Sequence, residues 1–128
     1  MKQAAAFVAV GAIGFCVDAG VLTAMVSTQT TGPYAGRLVS FPVAVFVTWL
    51  LNRSFVFESR AAMARTRATE YGRYFTVQVV GAAANLLVYG LALLIVPALA
   101  EWPVVPLAAG AAVGLLINFT GSKRWAFR

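Results

Sequence analysis

Few side chains in this sequence can do chemistry, and they are not scattered. Asp18, Gln78 and Asn85 interrupt long apolar runs. Two run endings, Asn52-Arg53-Ser54-Phe55-Val56-Phe57 and Asn118-Phe119-Thr120-Gly121-Ser122-Lys123-Arg124-Trp125-Ala126-Phe127, gather amides, cations and aromatics. A guanidinium presents a forked donor set that matches phosphate oxygens. Arg53, Lys123 and Arg124, with Asn52 and Asn118 beside them, therefore read as a place to hold an anionic phosphate; read more simply, they are helix ends with a topology signal. Asp18 lies roughly 20 Å along its run, near mid-membrane. A lone aspartate there costs about 2.5–3.5 kcal/mol on insertion scales, so it needs a partner, a proton or a water-filled cavity. Asp18, Gln78 and Asn85 read as a substrate or ion site within the membrane. Their plainer use is hydrogen bonding between helices.

What is absent narrows the chemistry. There is no phosphate-binding glycine loop, no cluster of metal-ligand residues and no nucleophile–base triad. The sequence has no His, and its one cysteine, Cys16, excludes an intrachain disulfide. No catalytic residue, metal or cofactor is expected, and the sequence argues against an enzyme.

These residues must be positioned by elements that live in lipid. Of 128 residues, 61% are hydrophobic and 11% charged, with mean hydropathy +0.83. A soluble domain carries roughly a quarter charged residues. The apolar runs predict four transmembrane helices, near 4–27, 38–52, 74–96 and 104–118, hence an all-α membrane protein. The first run covers roughly 35 Å as a helix, enough to cross the hydrocarbon core. It is too long for a signal-peptide core and lacks a clean cleavage site, so an uncleaved span is expected. Pro42 falls in the first turn of its span or kinks it. Trp49, Tyr74, Trp102 and Trp125 read as interface anchors.

The net charge is +6. Beside apolar spans such a charge points to anionic lipid headgroups, not nucleic acid. Lys2, Arg53, Arg60, Arg65, Arg67, Arg73, Lys123, Arg124 and Arg128 fall on one side of the predicted spans and Arg37 alone on the other. That bias predicts cytoplasmic N and C termini. Gly11 and Gly81, Phe55 and Trp125, and Phe57 and Phe127 are three pairs that share one and the same offset along the chain. A single domain over 1–128 is expected, built as two parallel two-helix repeats, about 4–57 and 74–127, around a polar stretch at 58–73. Gly11, Gly14 and Asp18 share a helix face, as do Gln78, Gly81 and Asn85. Gly110 and Gly114 form a further packing pair, within the chain or across a dimer.

With these residues in view, the chain resembles the GtrA-like family. The resemblance rests on Gly11 to Asp18, on Asn52-Arg53-x-Phe55-x-Phe57, and on Asn118-Phe119-x-Gly121-x-x-Arg124-Trp125-x-Phe127, and covers about residues 5–127. It implies a multi-pass protein of the bacterial plasma (inner) membrane. Such a protein moves a polyprenyl-phosphate-linked monosaccharide between leaflets for cell-envelope polysaccharide synthesis. In that role Arg53, Lys123, Arg124, Asn52 and Asn118 would hold the lipid phosphate and Asp18, Gln78 and Asn85 the sugar. Transport would run downhill, since no fuel motif is present. Similar modules anchor polyprenyl-phosphate mannose synthases. The alternative is therefore a non-transporting recruiter of a separate glycosyltransferase, docking through 58–73. A small multidrug exporter would also have four short spans and an acidic residue in the first, but the one-sided charge argues against it. Four spans enclose little volume, so a homo-oligomer is among the expected assemblies.

Overall fold

The computed structural model describes residues 1–30, 32–58, 66–102 and 104–128, apart from the side chains of residues 33 and 34. Arg60 and Arg65 of the basic stretch therefore lie outside the described residues. Four helices carry the fold: α1 (Lys2–Ser27), α2 (Pro33–Leu51), α3 (Arg67–Ile95) and α4 (Val104–Gly121). Each is long and apolar enough to cross a membrane, and no strand occurs among the described residues. The protein is an all-α, multi-pass membrane protein.

Local chemistry sets the ends. Gln29, at φ 56°, takes the left-handed conformation in the turn after α1. Gly32 is the extended cap before α2, and Pro33 opens it, where a missing N–H costs nothing. Pro42 lies well inside α2 and forgoes the bond to the carbonyl of Leu38. The side chain of Thr66 caps α3 by accepting from the Thr69 N–H at 3.3 Å, so this helix starts within the polar stretch, well before the span expected from Tyr74.

The repeated offset returns in the backbone. α2 runs into a π turn at Asn52–Val56 and α4 into one at Ser122–Ala126. Each is closed by an i→i+5 bond: Phe57 N–H to Asn52 O at 2.8 Å and Phe127 N–H to Ser122 O at 3.0 Å. Phe57 and Phe127 then stack on one another, centroids 4.8 Å apart and planes 18° apart. Gln3 donates to the Val56 carbonyl at 3.0 Å. Arg73, which follows Gln3 by the same offset that separates Phe57 from Phe127, donates to the Trp125 carbonyl at 3.4 Å.

These contacts place both chain termini, the ends of α2 and α4 and the start of α3 at one end of the bundle. That end also carries Lys2, Arg53, Arg67, Arg73, Lys123, Arg124 and Arg128, and is called the basic end below. The hydrophobic core sits there too, built from Phe7, Val10, Val45, Trp49, Val56, Phe57, Tyr74, Ala126 and Phe127. Elsewhere large apolar side chains such as Leu38, Leu86, Leu87, Leu94 and Leu116 face outward, as lipid solvent requires.

α1 packs along α2, and α3 along α4. The second pair approaches closely because glycines line it. A methyl group on Gly114 would stand 2.9 Å from the Gly81 carbonyl oxygen, and one on Gly110 2.5 Å from the Asn85 Oδ1. One expectation about the aromatics is corrected. Trp102 and Trp125 are exposed, but Trp49 and Tyr74 are buried within the bundle, because each spends its polar tip on a partner inside the protein.

Candidate functional site

A cleft of about 220 Å³ opens between the two helical pairs, and its polar wall is Asp18, Thr48, Asn52, Tyr74, Gln78 and Asn118. Phe7, Phe15, Phe41 and Leu115 supply apolar lining. The face shared by Gly11, Gly14 and Asp18 forms one side of it. Gly11 lets the wall stand back, since nothing lies within 4 Å of where its Cβ would be. Gly14 serves contact instead, because a Cβ there would meet the Thr48 Cγ2 at 2.3 Å.

Part of the polar wall is internally satisfied. Asn52 Nδ2 donates to the Tyr74 hydroxyl at 2.8 Å. That hydroxyl donates to Thr48 Oγ1 at 3.0 Å, and Thr48 donates to the Val45 carbonyl at 3.0 Å. The relay fixes three side chains and uses their donors. The rest of the wall is not satisfied. Asp18 Oδ1, Asn52 Oδ1, Gln78 Nε2 and Asn118 Oδ1 are buried atoms with no hydrogen-bond partner among the described residues. Each buried unmade bond costs about 1–3 kcal/mol, so four around one cleft is a concentration that packing alone does not explain.

Asp18 is not alone in the membrane. Its Oδ2 forms an ion pair with Arg37 across α1 and α2. The carboxylate is 15% exposed and the guanidinium 50%. Sequence reading treats Arg37 only as an exception to the charge bias. The pairing joins two different helices, and their separation along the chain hides it.

Asn52, Asn118, Asp18 and Gln78 are thus brought together. Asn85 is not among the lining residues; it packs on Gly110 across the α3–α4 contact. Arg53, Lys123 and Arg124 are also outside the lining. Arg53 follows Asn52 directly and pairs through Nε with Glu70 Oε1 at 3.4 Å. Lys123 stands over the Phe119 ring at 5.5 Å, and Arg124 is exposed. The basic residues therefore gather at the end of the bundle near Asn52, not on the cleft wall.

Three participants escape the sequence reading. Glu70 belongs to a stretch that reads as surface. It is nonetheless buried, accepting from Trp49 Nε1 at 2.9 Å, with its Oε2 unpartnered among the described residues. Tyr74 looks like an interface anchor. Thr48 has a signal that could have found it: it precedes Asn118 by the same offset that separates Phe57 from Phe127. The matched π turns align Asn52 with Ser122 and Thr48 with Asn118, so the two asparagines occupy different positions in the doubled pattern.

Over residues 6–127 the chain matches the family described as GtrA/DPMS, transmembrane domain. Comparison with curated proteins returns no match.

Proposed function

The chain belongs to the GtrA/DPMS transmembrane family, and from that premise we propose that it carries a polyprenyl-phosphate-linked monosaccharide across the bacterial plasma membrane for cell-envelope polysaccharide synthesis. Membership implies the handling of polyprenyl-phosphate sugars. Family members are generally non-catalytic, and translocation without covalent chemistry is the activity proposed here. The observation that carries the reading is the set of four unpartnered polar atoms on the walls of one cleft inside a membrane bundle.

A sugar head cannot cross hydrocarbon unaided, because each polar group stripped of water without a replacement bond costs several kcal/mol. The cleft offers such replacements. Asp18, Asn52 and Asn118 oxygens accept from hydroxyls, and the Gln78 amide donates to one. At about 220 Å³ it lies below the roughly 300–1,000 Å³ of drug-sized ligand pockets, which favours one sugar ring over an oligosaccharide. Arg53, Lys123 and Arg124 hold the phosphate at the basic end, taken as cytoplasmic from the one-sided charge. The prenyl tail stays in lipid. Transport runs down the gradient left by consumption of the sugar in the outer leaflet.

The test is leaflet crossing in proteoliposomes, using a short-chain prenyl-phosphate sugar and a membrane-impermeant reagent that reads the sugar. Crossing should rise with protein and fall in Gln78→Leu and Asn118→Leu. Equal rates with and without protein reject transport, and binding without crossing would leave the recruiter role.

A further inference from the structure

Beyond the basic residues near Asn52, the structure assigns a second phosphate station to Arg37, at the opposite end of the cleft, with the Asp18 carboxylate as its placeholder. This rests on the reading of the cleft as a path for a prenyl-phosphate-linked head. Among the described residues Arg37 is the one cation away from the basic end. It stands in the opening turns of α2 and is half exposed. Its partner, Asp18, lines the cleft. Arginine–carboxylate pairs are frequently bidentate, each oxygen taking one N–H of the fork. Here Oδ2 takes the guanidinium while Oδ1 is buried with no partner among the described residues.

The basic end repeats the arrangement. Arg53 pairs with Glu70 through Oε1, and Glu70 Oε2 is buried without a partner among the described residues. At both ends an arginine is thus held by a carboxylate that leaves one buried oxygen without a partner among the described residues. A carboxylate and a phosphodiester are both monoanions with paired oxygens, and a guanidinium fork accepts either. Exchanging one for the other keeps a counter-ion on Arg37 throughout. The displaced Asp18 carboxylate faces the cleft, where sugar hydroxyls can donate to it. The phosphate is received at Arg37 as the sugar leaves, and Asp18 recovers the guanidinium when the lipid departs.

The experiment uses a short-chain prenyl phosphate esterified as a diester, with a photoreactive group beside the phosphate, crosslinked to the full chain in nanodiscs. Labelled residues are then mapped by mass spectrometry. The first turns of α2 around Arg37 should be labelled. Removing the placeholder with Asp18→Asn should raise that labelling about tenfold, and Arg37→Gln should lower it about tenfold, the scale of one charge-assisted hydrogen bond. A purely structural ion pair moves both variants the same way, so same-sign shifts, or none, overturn the assignment. Competition by inorganic phosphate as strong as by the prenyl phosphate also overturns it, since the site would then serve free phosphate. Should Arg37→Gln not fold, Arg37→Lys retains the charge without the fork, and labelling equal to the wild type overturns the station. Leaflet crossing by the unmodified chain is scored separately. Crossing with unmoved labelling leaves transport standing and removes the station, and opposite labelling shifts without crossing do the reverse.

Discussion

Substituting Gly81 by alanine should separate the cleft from the stability of the bundle. A Cβ on Gly81 would lie 1.9 Å from Asn118 Oδ1, 2.5 Å from Cγ and 2.9 Å from Nδ2. Ordinary van der Waals contact begins near 3.4 Å, so the amide must swing out of the way. All three atoms belong to the end of a rotatable side chain, so the amide moves and the helices stay. Holding Asn118 off its preferred rotamer costs about 0.5–1.5 kcal/mol. Alanine in place of glycine inside a helix returns about 0.8–1.0 kcal/mol. The net change in stability is then within about 1 kcal/mol, the difference of those two terms. Binding of a prenyl-phosphate sugar, by contrast, should lose the hydrogen bond proposed for Asn118, about 1 kcal/mol or roughly fivefold in affinity.

Gly114→Ala behaves differently. Its methyl meets the Gly81 backbone oxygen at 2.9 Å and Asn85 Cβ at 3.2 Å. Neither can swing aside, so the helices must part, and overpacking of that kind costs about 1–3 kcal/mol. Gly20→Ala, with nothing within 4 Å, is the control. Thermal unfolding in detergent and equilibrium binding of the sugar lipid measure the two effects. The double variant Gly81→Ala/Asn118→Ala should be at least as stable as Asn118→Ala, because the clash has gone. If Gly81→Ala melts as far below wild type as Gly114→Ala while binding stays intact, the side-chain account of this contact is wrong.

Other outcomes follow from the same contacts. Tyr74→Phe breaks the relay between Asn52 and Thr48 and should cost about 1–3 kcal/mol in an unfolding measurement, since the partners stay buried. Phe57→Ala and Phe127→Ala should each cost about 3–5 kcal/mol; their coupling energy in a double-mutant cycle should be about 0.5–1.5 kcal/mol, and zero coupling would deny the stack a role. Glu70→Ala should destabilise by about 3–5 kcal/mol, because it strips a buried partner from Arg53 and Trp49. Glu70→Gln should cost less, because an amide oxygen still accepts from the indole; equal losses would make the indole bond irrelevant.

Much of this arrangement is written locally, and the rest depends on partners far apart in the chain. Four apolar runs and a one-sided distribution of cations are properties of short windows, so hydropathy and charge reveal them directly. The shared offset of Phe57 and Phe127 is legible in the sequence, and the two rings meet face to face. Asp18 is legible as an anomaly but its partner is not, since Arg37 lies on another helix. Trp49 and Tyr74 show the limit of composition: an aromatic with a polar tip near a helix end fits the lipid interface and the bundle interior equally well. Only the positions of Glu70, Thr48 and Asn52 decide between them. Glu70 is hidden for a related reason, since a carboxylate among arginines reads as solvated surface until α3 is seen to begin at Arg67.

The two wide turns at Asn52–Val56 and Ser122–Ala126 act as gears. Each i→i+5 bond spends one residue more per turn than the helix before it, and so resets the angle at which the following side chain leaves the axis. Phe57 and Phe127 are the residues that close these turns, and they stack on one another. Deleting one residue from either segment, Ser54 for example, would let the helix run on smoothly and yet throw its terminal ring away from its mate. At exposed positions such as Ser54 and Phe55 the chain should therefore tolerate changes of residue type far better than changes in the length of these segments.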